Sequence, residues 1–164
     1  EGSKQFQIPI YQREYKWTNK HCKELMKNIK EIMNEEIENH FIGSVVYIQD
    51  GIYQSSTIPI FFIIDGQQRI TTISLLLLAI AKLNRKIKDK IYDLYLINKY
   101  DENNKYKLLS KENDHKVYVK LLENLDLDDD DKTTAIYKNY MYFLKEIESE
   151  ETAHEIFNIL YNIY

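Results

Sequence analysis

Asp65-Gly66-Gln67-Gln68-Arg69 lies between two strongly apolar runs, Phe61-Phe62-Ile63-Ile64 before it and residues 73–80 after the pair Thr71-Thr72. The first run has strand length, Asp-Gly is a strong turn signal, and the second run has helical composition. A strand, a tight turn and a helix start would place Asp65, Gln67, Gln68 and Arg69 at the mouth of a helix N-terminus. Unpaired backbone N–H groups and the positive end of the helix dipole converge there, and phosphate suits them best. This stretch is the expected active or binding site.

A second Gln-Arg pair stands in Tyr11-Gln12-Arg13. Arginine presents a planar fork that matches phosphate oxygens two at a time, and glutamine can orient a water or hold a base or sugar edge. Two such pairs at one helix mouth would form a nucleotide-phosphate clamp. The structural alternative is that Arg13 pairs with a carboxylate while Tyr11, Tyr15 and Trp17 simply pack.

The elements that must position these residues can be read in outline. Residues 6–10 read as a short strand or extended lead-in up to Pro9, and Thr18 or Asn19 suits an N-cap. Leu25, Met26, Ile29, Ile32, Met33 and Ile37 recur at helical spacing, predicting an amphipathic helix to about Glu38. Residues 41–49 are β-branched and aromatic, 50–57 are turn-rich, and 59–65 should pair back as a hairpin. The helix over 68–83 is apolar nearly all round and so belongs at the centre. Further helices are predicted over 85–98, 110–124, 132–148 and 152–164, with a brief strand within 105–109 and Ser110 as a cap. The acidic run Asp126, Asp128, Asp129, Asp130, Asp131 lacks the EF-hand spacing and reads as a solvated loop with helix N-terminal charge.

Bulk properties narrow the function classes. The chain of 164 residues is 44% hydrophobic and 29% charged with only 4 Gly and 2 Pro, a globular composition. Its apolar runs fall short of the roughly 20 residues a membrane helix needs, and no basic-then-apolar signal peptide opens it. The lone Cys22 allows no internal disulfide, which fits a reducing cytoplasm, and His21 beside it lacks the cysteines a metal site would need. His40, His115 and His154 are expected as surface imidazoles. The net charge of −4 divides into +3 over residues 1–99 and −7 over 100–164, so an anion is better received by the first part. Even that part carries no strongly basic nucleic-acid footprint. The start at Glu1-Gly2-Ser3 and the end inside an apolar helical pattern read as those of a fragment.

The segments IPIYQREYKW, FIGSVVY and FFIIDGQQRITTISLLLLAI closely resemble the N-terminal domain of GmrSD-type modification-dependent restriction endonucleases, of the ParB/sulfiredoxin-like superfamily. The resemblance covers residues 6–83 in order, and extends more weakly to KYKLLSKENDHKVYVKLLEN and residues 139–143. It implies an α/β (α+β) fold: a small mixed sheet with packed helices over residues 1–100, and the start of a helical region over 101–164. It also implies a phage-defence protein that binds and hydrolyses a nucleoside triphosphate, coupled to recognising or cutting modified DNA. The family's Asp-Gly-Gln-Gln-Arg motif falls on residues 65–69 and its Tyr-Gln-Arg motif on residues 11–13.

On that basis Arg69 and Arg13 would neutralise phosphate charge, Gly66 would let the backbone turn and approach the ligand, and Gln68 or Gln67 would position water. Asp65 would hold Mg²⁺ or act on that water; capping the turn is an equal alternative. Tyr11, Gln12, Thr71 and Thr72 complete the expected phosphate site, the threonines ranking below Arg69. The implied partners are a nucleoside triphosphate (GTP is the candidate) and, in the full-length protein, modified phage DNA; oligomers are compatible. Family nucleases carry a C-terminal His-Asn-His metal site, and residues 84–164 have no such pattern. Two other readings stand beside the hydrolase: a module that binds nucleotide, or a flipped modified base on Tyr11, Tyr15 and Trp17, without hydrolysis, and an inactive scaffold.

Overall fold

The computed structural model describes residues 2–34, 43–49 and 58–163. Apolar runs bounded by turn residues become β1 (Gln5–Gln7), β2 (Val46–Gln49), β3 (Ile60–Asp65) and β4 (Leu108–Leu109), one sheet in the order β2-β3-β1-β4. β1 runs parallel to β3 and β4, with Phe6 opposite both Phe61 and Leu108, while β2 is antiparallel to β3. The helices are α1 (Asn19–Met33), α2 (Gln67–Leu83), α3 (Lys88–Ile91), α4 (Glu112–Glu123), α5 (Asp129–Thr133), α6 (Ala135–Glu146) and α7 (Glu150–Ile163). The fold is α+β, as expected. Among the described residues no helix is long and apolar enough to cross a membrane.

α2 is the hub. Its apolar composition removes any solvent face, so residues 74–81 are buried without interruption, and it packs against α3, α6 and α7. Leu75, Leu76 and Ile80 share one core with Cys22 and Met26 of α1, Leu108 of β4, Tyr118 of α4, Phe143 of α6 and Phe157 of α7. The core therefore continues across residue 100, and β4 completes the sheet from beyond it.

Several boundaries differ from the expectations, each for a local reason. β1 stops at Gln7, because residues 9–12 turn back through a Gln12 N–H donated to the Pro9 carbonyl at 3.0 Å. α1 is capped at Asn34 and the following strand begins at Val46; expectations for 35–42 and 50–57 lie outside the described residues. The helix expected over 85–98 is broken up. Asn84 leaves helical geometry and its side chain accepts from Lys86 N–H at 3.1 Å, and α3 then runs into a π-helical turn, Tyr92–Leu96. Buried Lys107 donates its Nζ to the Asp93 and Leu94 carbonyls at 2.8 and 3.0 Å and to the Gly2 carbonyl at 3.1 Å.

Ser110 does not cap α4; Lys111 holds the N-cap position without a side-chain bond. Asp126, Asp128, Asp129 and Asp130 of the acidic run are exposed and its later residues open α5, as expected; Asp131 is the exception. Asp128 caps α5 by accepting from Asp131 N–H at 2.8 Å, and Asp131 is buried where it meets Lys120. Thr134 breaks the next expected helix and caps α6 through Tyr137 N–H at 3.3 Å.

Candidate functional site

The strand–turn–helix junction forms as read. β3 ends at Asp65, and Gly66 takes φ 91°, a left-handed geometry that lets α2 begin at the next residue. A Cβ on Gly66 would lie 2.9 Å from the Ser44 carbonyl oxygen and 3.0 Å from Val45 Cα, so the lead into β2 closes directly over the turn. No side chain caps α2 and its first turn holds no acidic residue, so that turn stays suited to an anion.

The segment 8–17 is bound to α2 by buried amides and hydroxyls. Gln68, 5% exposed, accepts from Lys16 N–H at 2.8 Å and Trp17 N–H at 3.1 Å, and donates to the Glu14 carbonyl at 3.0 Å. Thr72 Oγ1 donates to the Gln68 carbonyl at 2.8 Å and lies 2.6 Å from the Tyr15 hydroxyl. Asn139 of α6 donates to both the Tyr15 hydroxyl (2.9 Å) and the Trp17 carbonyl (2.8 Å). From α4, Asp114 accepts Tyr15 N–H at 2.8 Å, while Lys111 Nζ reaches the Gln12 carbonyl at 2.7 Å. Burial of the Tyr15 ring raises its hydroxyl pKa well above the ordinary value.

Between this segment, α2 and the start of α4 lies a cleft lined by Ile8, Arg13, Gln67, Thr71, Lys111 and Asp114, with Tyr15 and Gln68 behind. Counted out to its open mouth it holds about 180 Å³. Drug-sized ligands fill pockets of about 300–1,000 Å³, so a nucleotide would lie across this mouth with only part of itself inside. The sequence of this domain matches the family described as GmrSD restriction endonuclease, N-terminal domain, over residues 1–162.

The chain belongs to this family.

No curated protein matches it. Membership makes this GmrSD N-terminal domain part of a restriction system, and the match spans both the sheet region and the helices after residue 100.

Within the GmrSD domain the expected residues fall into three groups. Arg13, Gln67 and Thr71 meet at the cleft. Arg13 is exposed and its guanidinium makes no ion pair or hydrogen bond among the described residues. Gln67 is 7% exposed; its Nε2 faces the Arg13 carbonyl at 3.5 Å, and its Oε1 has no partner among the described residues. Gln68 and Thr72 serve the polar network. Gln12 donates to the Ile64 carbonyl at 2.9 Å.

Arg69 and Asp65 stand on the β2 side of the turn. Arg69 donates to the Ser44 carbonyl, lies 3.7 Å from the Asp65 carboxylate and packs against Gly43. The Asp65 side chain is 71% exposed. Tyr11 is 72% exposed, Tyr15 is buried, and Trp17 stacks on His21 at 5.0 Å, so these rings do not share one open stacking surface.

Lys111 and Asp114 were not singled out from the sequence; they reach the cleft only because β4 delivers the start of α4 beside β1. Burial raises the Asp114 pKa above the ordinary carboxylate value, with Glu14 adding to the rise and the Tyr15 N–H, Lys16 and Lys111 opposing it. Contrary to expectation His115 is half-buried, edge-on to Tyr106 with centroids 5.5 Å apart, and its pKa is lowered by burial. His154 is exposed, and His40 lies outside the described residues. Cys22 is a buried core thiol pushed up to about 12 by burial.

Gln68→Leu is expected to destabilise the domain by about 2 kcal/mol, since three backbone groups lose their partner in a partly desolvated place. Urea denaturation measures it; a change under about 0.5 kcal/mol, the ordinary range for surface substitutions, would show that water replaces the amide.

Proposed function

We propose that this GmrSD N-terminal domain binds a nucleoside triphosphate, with GTP the first candidate, and hydrolyses it as a cytoplasmic switch for recognition or cleavage of modified phage DNA by the longer protein. The observation that carries this reading is the uncapped mouth of α2 behind Gly66, with Lys111 beside it and Arg13, whose guanidinium has no partner among the described residues. Backbone N–H groups and a free guanidinium suit phosphate oxygens, and the cleft lets the terminal phosphoryl group approach Gln67.

Among the described residues the Gln67 amide oxygen has no partner while that of Gln68 accepts two N–H groups, so Gln67 takes the water-orienting role and Gln68 the positioning of residues 14–17. Arg13 and Lys111 neutralise charge on the phosphates. Arg69 holds the turn from its far side and adds positive potential to the mouth.

Among the described residues no group of three or more His, Cys, Asp or Glu is placed to hold a metal. That suits Mg²⁺ arriving on the triphosphate, which needs one or two carboxylates and keeps several waters. Exposed Asp65 is the residue that would hold it, and the ion would supply further charge neutralisation at the phosphates.

A module that binds nucleotide without hydrolysing it draws support from one feature, the engagement of Gln68 and Thr72 by the protein itself. The test is phosphate release from GTP, ATP, CTP and UTP with Mg²⁺, repeated after EDTA. Release that stops on chelation is expected. Binding by equilibrium dialysis without release would favour the module, and neither binding nor release the scaffold.

A further inference from the structure

We infer that Asp114 of α4 is the general base of the hydrolysis proposed above, taking a proton from a water held between its carboxylate and Gln67 Oε1. The inference rests on that reading of the domain and adds a residue from outside both motifs.

The space in the cleft that the centre of a water molecule can occupy is about 10 Å³. That is on the order of the room one water needs, and such a water requires two to four polar partners. Gln67, Thr71, Lys111 and Asp114 provide them from α2 and from the start of α4. Gln67 Oε1 is a buried acceptor with no donor among the described residues, and burying an acceptor without a donor is unfavourable. Turning the amide over would place oxygen against the Arg13 carbonyl, so the acceptor is held toward a donor such as a water O–H. Asp114 Oδ2 accepts Tyr15 N–H at 2.8 Å, which fixes the carboxylate while leaving it further acceptor capacity. Asp65, the carboxylate of the turn, does not line the cleft and is mostly in solvent.

The charges around Asp114 come from three places. The segment 8–17 presents Arg13, Glu14 and Lys16, the approach to α4 presents Lys111, and α2 faces the cleft with uncharged Gln67, Gln68 and Thr71. Burial and Glu14 outweigh the cations, so the carboxylate is a stronger base than an exposed one.

In the step, the water oxygen forms a bond to the γ-phosphorus as the bond from that phosphorus to the β–γ bridging oxygen breaks. The water proton passes to the Asp114 carboxylate and then to solvent. The products are the nucleoside diphosphate and inorganic phosphate.

Asp114→Asn keeps an oxygen for Tyr15 N–H and removes the base. In phosphate release from GTP with Mg²⁺, kcat is expected to fall about 10²-fold or more, with nucleotide affinity within roughly twofold. The wild-type rate falls as pH drops through the raised Asp114 pKa, because the protonated acid cannot accept; that limb disappears in the variant. Wild-type turnover in Asp114→Asn with the acid limb intact overturns the base role alone. A wild-type domain that releases no phosphate from any nucleotide overturns the hydrolase reading and the base role together. Should Asp114→Asn fail to fold, Gln67→Met decides: kcat down about 10-fold at unchanged KM supports the held water, and unchanged kcat removes it.

Discussion

Arg13→Ala is expected to lower kcat for phosphate release by about 10³-fold, the lower end of what one transition-state arginine contributes in phosphoryl transfer. Such a loss is equivalent to about 4 kcal/mol. Arg13 gives a clean experiment. Its side chain is exposed at the cleft and holds no protein partner among the described residues, so its removal should change stability by less than about 0.5 kcal/mol. Arg69→Ala, the variant the motif first suggests, is less easily read: that guanidinium bonds the Ser44 carbonyl and packs on Gly43, so turn geometry and charge change together. Arg13→Lys is expected to recover part of the rate, as a point charge replaces the two-pronged fork. Stopped assays with a melting curve for each variant make the comparison. Unaltered turnover in folded Arg13→Ala would remove the phosphates from the α2 mouth.

Gly66→Ala is expected to destabilise the domain by about 3 kcal/mol. Holding a non-glycine residue in left-handed geometry costs about 1–2 kcal/mol. The remainder comes from the new Cβ, which would sit 2.9 Å from the Ser44 carbonyl oxygen and 3.0 Å from Val45 Cα, both backbone atoms. Relief requires the lead into β2 to move, and Arg69 loses the position from which it bonds Ser44. For a domain of this size the loss is roughly 6–12 °C in melting temperature. Gly43→Ala is the control. Its φ of 94° is equally left-handed, but its Cβ would meet the Arg69 side chain at 2.6 Å, and a side chain can swing aside. A loss below about 1 kcal/mol in Gly66→Ala would show that the strand yields and that glycine is not required at the turn.

The parts of this domain legible beforehand are those with a local physical cause. The apolar run 61–64 has strand length and ends at Asp-Gly, so it reads as a strand meeting a turn, although only Ile63 of it is buried. The uninterrupted apolar stretch of α2 left no face for water, so it had to be central. Lys107 shows the opposite case. A lysine between two apolar strand residues reads as a surface charge, yet it is buried, its ammonium satisfied by three carbonyls and its pKa lowered by burial and nearby Lys4. Those carbonyls come from the N-terminal lead-in and the π-helical turn, and no local pattern announces them.

The same division runs through the candidate site. Residue types and spacing determined that Asp65 to Arg69 would stand at a helix mouth, because hydrophobic period and turn chemistry act over a few residues. Only the tertiary structure decided which polar groups the protein uses itself. Gln67 and Gln68 are adjacent and chemically identical, yet Gln68 serves the backbone of residues 14–17 while Gln67 keeps a buried oxygen without a donor among the described residues. It also decided that Lys111 and Asp114 join the cleft, through the parallel pairing of β4 with β1. Hydrogen-bond satisfaction is settled between segments distant in the chain, and side-chain identity alone does not carry it.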